Sequence, residues 1–433
     1  MTETPALDQP LAELVRMVRD GELAPDDPTK AALQRTARLE PQVHAWVLLD
    51  PAAEETAARR GPGPLQAVPI AVKDIIDVAG LPSRCGSTIT SPEPVPESAA
   101  CIRALESLGA VVLGKSVTTE FAYFAPGPTD NPAAPGHTPG GSSSGSAAAV
   151  AAGMVPLAVG SQTAGSLTRP AAFCGIAGMV LAQGTTDLTG ITGLSHSFDS
   201  LGLLARRVED LAHAYEALVS GGFATMAGDC APPSPGRPVD VFLWHGSELD
   251  EISPAMAEAV ETAGRLLEGA GVPVQELDWD DHIQTLTGDH ITIMSYEAAR
   301  LRTDALARLD EVSQPLAELL QSGQQIADAD YQAARIRCDR SLVELGAVLA
   351  RTGVVVGPAA LGPAPAGLAA TGSPVLSRPW QALGLPAVTV PGIRCGAGRP
   401  LGLQVIGMPG CESRVLGLAA QLQDLLSGLR TDA

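Results

Sequence analysis

Short apolar runs alternate with stretches whose apolar residues recur at helical spacing, and this alternation restricts the chain more than any other feature. Val68-Pro69-Ile70-Ala71-Val72, Val111-Val112-Leu113, Val155 to Val159, Val239 to Trp244, Val272 to Leu277, Val354-Val355-Val356 and Ala387 to Val390 are too short for buried helices. Bounded by Gly, Pro or charge, they read as core strands. Helical stripes lie between them: Leu11, Leu14, Val15 and Val18; Cys101, Leu105 and Leu108, with a stop at Gly109; Met256, Val260, Ala263 and Leu267 behind a Ser253-Pro254 start; Val415, Leu418, Ala419, Leu422 and Leu425 near the end. Residues 11 to 60 and roughly 284 to 350 also read as helical. The alternation predicts an α/β protein, an α/β/α sandwich on one large mixed sheet. The Pro-rich segment 231–238 is the best linker candidate, but no independent core follows it. The expected organisation is therefore one domain over 1–433: N-terminal helices at 1–60, a core at 61–220, a variable helical region at 231–350 and a C-terminal return to the sheet at 351–433.

Charge narrows the function classes. A formal net charge of −20 argues against broad contact with nucleic acid or anionic lipid. The N-terminal stretch is acidic and lacks a long apolar run, which speaks against a secretory signal, and no run of about 18 apolar residues predicts a membrane span. Seven dispersed Cys without paired spacing predict reduced thiols. The expected location is the cytoplasm.

Of the 28 basic residues only Lys30, Lys73 and Lys115 are lysines. Arg stays protonated, whereas a buried Lys can lose its proton. Lys73 ends an apolar strand, where lost hydration lowers its pKa from a reference near 10.4. The competing reading pairs it with Asp74 or Asp77. A second segment, Gly140-Gly141-Ser142-Ser143-Ser144-Gly145-Ser146, runs into an Ala-rich helix whose small side chains permit close backbone packing. Its hydroxyls cap that helix, or sit where free amides favour charge on an oxygen. A third, Gly160-Ser161-Gln162-Thr163-Ala164-Gly165-Ser166, is a turn without bulky side chains. Its successive N–H groups can converge on an oxyanion; otherwise it is a polar loop.

Three motif matches are set aside. Gly109 to Ser116 fits G-x-x-x-x-G-K-S, but its variable positions, Ala-Val-Val-Leu, form a strand and not an open phosphate loop. Gly141 to Gly145 fits G-x-S-x-G, yet the Pro-Gly-His-Thr-Pro-Gly before it cannot be the strand that a nucleophile elbow requires. His137 and His196 read as loop residues. The run Asp278-Trp279-Asp280-Asp281-His282 reads as a solvated acidic turn and not a metal site.

Taken together, LQAVPIAVKDIIDVAGLPS, NPAAPGHTPGGSSSGSAAAVAAG, GSQTAGSLTRPAAFCGIAG and SHSFDSLGLLARRVEDLA resemble the amidase signature family, with a weaker likeness at RPWQALGLPAVTV and PLGLQVIG. The resemblance covers about Leu65 to Asp210 closely and implies the family's Lys–Ser–Ser triad on Lys73, Ser142 and Ser166. Ser142 would follow a cis peptide bond and relay a proton from the nucleophile Ser166 to Lys73. Amides of Thr163, Ala164, Gly165 and Ser166 would form the oxyanion hole, and Gly141 and Gln162 would contact substrate. No metal or cofactor is implied, and a homodimer is. The implied activity is hydrolysis of a small-molecule carboxamide or ureide. The alternatives are the amidase subunit of a tRNA-dependent amidotransferase and a non-catalytic binding protein of the same fold. Gln162, Thr168, Ser144, Ala164 and Val180-Leu181-Ala182 depart from the family's commonest pattern. These departures bear on the loop's shape and on the substrate.

Overall fold

Residues on successive positions of a strand face opposite sides, and here the two sides are separate cores. Ile70 and Val72 join one apolar cluster while Ala71 joins the other. Leu157 and Val159 oppose Ala158, and Leu203 and Ala205 oppose Leu204, in the same way. One face is covered by the helices Ser144–Ala151 and Thr168–Cys174. The other is covered by helices including Leu11–Arg19, Ala100–Ser107 and Val208–Ser220. A computed structural model describes residues 5–225, 239–350 and 353–429.

The strands are β1 (Trp46–Leu49), β2 (Pro69–Lys73), β3 (Val111–Ser116), β4 (Leu157–Gln162), β5 (Ala177–Val180), β6 (Ser200–Ala205), β7 (Val241–Leu243), β8 (Val274–Glu276), β9 (Val354–Pro358), β10 (Ala387–Arg394) and β11 (Pro400–Ile406). They form one 11-stranded sheet in the order β1-β3-β2-β4-β6-β5-β10-β11-β9-β7-β8. β3, β2 and β4 run parallel, the centre from β4 through β9 is antiparallel, and β9, β7 and β8 are again parallel. The protein is thus α/β on a large mixed sheet.

Several sequence expectations are corrected. The N-terminal 60 residues are not all helical, because Trp46–Leu49 adds to the sheet edge beside β3. β4 begins only after Pro156 and continues through Gly160-Ser161-Gln162, a stretch whose composition reads as turn. Its pairing with β6, a strand without a clear apolar signal, extends to Gln162↔Ser200 and holds those small residues extended. The linker candidate 231–238 lies outside the described residues. Cys85, Cys101, Cys174, Cys338 and Cys395 are free thiols, but Cys411 is disulfide-bonded, so the thiols are not uniformly reduced. Among the described residues no helix is long and apolar enough to cross a membrane.

Small side chains set the packing of the Ser144–Ala151 helix on the sheet. A Cβ on Gly145 would lie 2.2 Å from the carbonyl oxygen of Ala45 and 2.4 Å from the nitrogen of Val117. This close seat fixes the helix start, and with it Ser142, over the ends of β2 and β4.

Candidate active site

β2 and β4 are parallel neighbours, with Val72 opposite Val159. Their C-terminal ends therefore carry Lys73 and Ser161 to the same place. Lys73 is wholly buried. Its Nζ lies 2.6 Å from Ser142 Oγ and 2.9 Å from Ser161 Oγ. Lys73 forms no ion pair among the described residues. Asp74, its neighbour in sequence, points to the other buried lysine, with Lys115 Nζ 2.8 Å from Asp74 Oδ1. Asp77 accepts instead from Ser83 Oγ at 2.6 Å. Burial lowers the Lys73 pKa to about 7, against the weaker opposing pull of Asp199 and Cys85. A large share of this amine is then neutral near pH 7.

Ser142 follows a cis Gly141–Ser142 peptide bond. The turn after β4 brings Thr163, Ala164, Gly165 and Ser166 into the same pocket as Ser142, together with Thr119, Tyr123, Phe124, Arg169, Leu194, Met294, Thr371 and Pro374. Ser142 and Ser166 are therefore pocket neighbours, and the two segments are tied by Ser143 N donating to Ser166 O (3.1 Å). The Ser166 side chain makes no hydrogen bond to a described residue. No carbonyl or side chain among the described residues accepts from the amides of Ala164, Gly165 and Ser166, so these donors remain available to an oxygen bound in the pocket.

Two side chains outside the sequence-derived set, Asp199 and His290, shape this turn. Thr163 Oγ1 donates to Asp199 Oδ1 (2.6 Å), and the same carboxylate accepts from the amides of Leu194 and Ser195 through Oδ2. His290 Nε2 lies 2.8 Å from the Thr163 carbonyl oxygen, with its ring stacked on Phe198 at 4.5 Å. Burial lowers the His290 pKa to about 3, so the ring is neutral and donates from Nε2. Ser161, which reads in sequence as part of a turn, is the second hydroxyl on Lys73. The signal that could have found it is the placement of Lys73 and Ser161 at the ends of adjacent parallel strands.

Gly141 and Gln162 do not line the pocket. The Gly141 carbonyl accepts from Arg169 Nη2 (2.6 Å). The Gln162 side chain is committed to the turn: Oε1 accepts from the amides of Leu167 and Thr168 at 3.0 Å each, and Nε2 donates to Gln381 Oε1 at 3.0 Å. The Gly141 carbonyl and the Gln162 side chain are thus engaged by the protein itself. Among the described residues, no group of His, Cys, Asp and Glu is arranged to hold a metal ion.

Known proteins resemble the chain along this same framework. The amidase family profile matches residues 27–416. The chain belongs to the amidase family, a class of enzymes that hydrolyse amide C–N bonds. A curated relative, the A-type component of the glutamyl-tRNA(Gln) amidotransferase of Thermus thermophilus, is 34% identical over 296 residues, covering 64% of this chain and 62% of the relative. The chain thus spans less than two thirds of that relative's length. The native peptide amidase of Stenotrophomonas maltophilia is 26% identical, with 99% of this chain and 98% of that one covered at a TM-score of 0.78. A structure described as a vestigial complex revealing the origins of an s-triazine catabolic enzyme is 27% identical, with 97% and 98% covered at a TM-score of 0.83.

Proposed function

We propose that the chain hydrolyses the C–N bond of a small-molecule carboxamide or ureide through an acyl-enzyme on Ser166. The observation that carries this reading is a buried lysine amine whose nearest partners are hydroxyls, with Ser142 between it and the pocket that Ser166 lines. A serine hydroxyl is a poor nucleophile until a base removes its proton. In the proposed cycle neutral Lys73 takes the Ser142 proton while Ser142 takes that of Ser166. The Ser166 oxygen attacks the carbonyl carbon, and the amides of Ala164, Gly165 and Ser166 stabilise the oxyanion, with that of Thr163 beside them. The proton then returns by the same path to the departing nitrogen, which leaves as ammonia or an amine. Water repeats the sequence on the acyl-enzyme, releases the acid and restores Ser166.

The curated relative supports a second reading, in which the chain supplies ammonia to a partner in a tRNA-dependent amidotransferase. The structural likeness to a peptide amidase, over 98% of that chain, supports the first reading; an amidotransferase component of Akkermansia muciniphila, 31% identical and covered over 82% of its length, supports the second. The single sheet taking strands from both 61–220 and 351–433 supports one domain. The test is ammonia release from a panel of amides and ureides by the isolated chain. Ser166→Ala is expected to abolish release while leaving the melting temperature within a few degrees. Full activity in that variant would overturn the assignment, and activity that appears only with a co-purifying partner would favour the second reading.

A further inference from the structure

A carboxylate taken out of water has to be met by donors, because burying it alone is costly. Glu297, on the helix Asp280–Leu301, is 1% exposed and is met from two sides. Its Oε2 accepts from Ser195 Oγ (2.5 Å) and from the Ser197 amide (3.0 Å). Its Oε1 accepts from Ser197 Oγ (2.5 Å) and from the Tyr331 hydroxyl (2.8 Å), which the helix Asp328–Val348 supplies. His196 Nε2 also lies 3.1 Å from Oε1. Three of these four hydrogen bonds go to one short turn and one to the neighbouring helix, so the carboxylate is aimed mainly at the turn.

That turn meets the pocket at both of its ends. Leu194, just before it, lines the pocket. Asp199, just after it, accepts from Thr163 Oγ1 at 2.6 Å. Ser195 joins the two carboxylates: its amide donates to Asp199 Oδ2 (3.0 Å) and its hydroxyl to Glu297 Oε2. An unbroken path of hydrogen bonds therefore runs from Glu297 through Ser195 and Asp199 to Thr163. The helix supports it along one face, since residues three and four apart lie above one another. His290 stacks on Phe198 of the same turn, and Met294 lines the pocket. Buried networks of this kind hold their members in one arrangement when every member is satisfied.

We propose that Glu297 is a positioning residue for acyl transfer at Ser166: it fixes the 194–199 turn and, through Asp199 and Thr163, the alignment of the amides that receive the oxyanion. This rests on the proposed amide hydrolysis. Glu297 does not line the pocket. Its loss therefore weakens binding of the transition state, which needs aligned donors, more than binding of the substrate.

The experiment follows ammonia release by the full chain on the amide it turns over best. Glu297→Ala is expected to lower kcat by about 20-fold or more, with KM changed less than about threefold. Glu297→Gln should recover part of kcat, because a carboxamide keeps an acceptor for the Ser197 amide and the serine and tyrosine hydroxyls can turn to accept from its NH2. Tyr331→Phe removes the bond from the neighbouring helix and leaves the turn alone, so it should cost less than about threefold. Thr163→Val breaks the far end of the path. Combined with Glu297→Ala it should cost about threefold less than the product of the two single losses, or less still, because both changes cut one path. A kcat in Glu297→Ala within about threefold of the parent, a loss confined to KM, losses that multiply, or an equal loss in Tyr331→Phe would each overturn the proposal while leaving amide hydrolysis standing. Should Glu297→Ala fail to fold, Ser195→Ala, which removes one hydroxyl from the path, replaces it under the same criteria. If the parent releases no ammonia from any amide, hydrolysis fails, and the rate at which a fluorophosphonate labels Ser166 decides the positioning role. Labelling slowed about tenfold or more in Glu297→Ala upholds it, and an unchanged rate or an unlabelled parent overturns it.

Discussion

Lys115 Nζ lies 2.8 Å from Asp74 Oδ1, and neither side chain is exposed. This pair removes the one carboxylate that could have claimed Lys73 by adjacency. Burial raises the Asp74 pKa, and the Lys115 charge is the largest effect pulling it back. Breaking such a pair leaves a charge stranded in the interior, at a cost of about 3–5 kcal/mol. Lys115→Met is therefore expected to lose most of that amount in urea denaturation. The double variant Asp74→Asn with Lys115→Met should recover part of it. Additive losses in the double variant would mean that the two residues are not coupled.

Lys73 gives a pH dependence of known sign. With a folded pKa of about 7, kcat/KM should fall roughly tenfold per unit below that point, since only the neutral amine can take a proton. Stability moves the same way. Between about pH 7 and about pH 10.4 the unfolded chain holds a proton on Lys73 that the folded chain has released. Stability therefore rises with pH across this window, by up to about 1.4 kcal/mol per unit, and the penalty is fully present below pH 7. Lys73→Met removes the effect: it should abolish turnover yet melt higher than the parent at pH 6. Parallel melting curves for the two proteins from pH 6 to pH 9 would sink the neutral-amine account.

Alternating apolar patterns make the parallel parts of the sheet legible: β2, β3, β7, β8 and β9 each coincide with a short apolar run. β5, β6 and β11 escape that pattern because Ala177–Val180, Ser200–Ala205 and Pro400–Ile406 contain Gly or Ser. The glycines admit neighbouring side chains. A Cβ on Gly202 would lie 2.1 Å from Leu167 Cδ1, so the residue that weakens the strand signal is required by the packing. The three segments grouped in the sequence do meet around one pocket, because residue type and spacing bear on that grouping. Asp199 and His290 are not legible as parts of it. They reach Thr163 from the approach to β6 and from the helix Asp280–Leu301, contacts that span 36 and 127 residues. No local pattern encodes them.

Gln162 separates two kinds of contribution. Its side chain bridges Leu167, Thr168 and Gln381 from behind the turn. Gln162→Leu would leave two buried amides and one carboxamide unsatisfied, each worth about 1–3 kcal/mol. Because these bonds set the path of the turn without reaching the pocket, the loss is expected in kcat, at roughly tenfold or more, with KM changed less than about threefold. A variant that raises KM and leaves kcat intact would restore Gln162 to a substrate contact.

His290 positions the same turn from the opposite side. Its Nε2–H meets the Thr163 carbonyl at 2.8 Å, and its Nδ1 is buried without a partner. With a pKa near 3 the ring stays neutral across the working range, so it contributes a fixed donor and no titration. The peptide unit it holds, Thr163 carbonyl to Ala164 amide, carries one of the proposed oxyanion donors. His290→Ala is expected to lower kcat by roughly 10- to 100-fold, the range for a misaligned oxyanion donor of about 1–3 kcal/mol. The apparent pKa of the activity profile should remain near 7, because that limb belongs to Lys73. His290→Gln, which can present an N–H to the same carbonyl, should recover part of kcat. A shift of the acid limb in His290→Ala would mean that the imidazole takes part in proton transfer and is not a neutral prop beneath the turn.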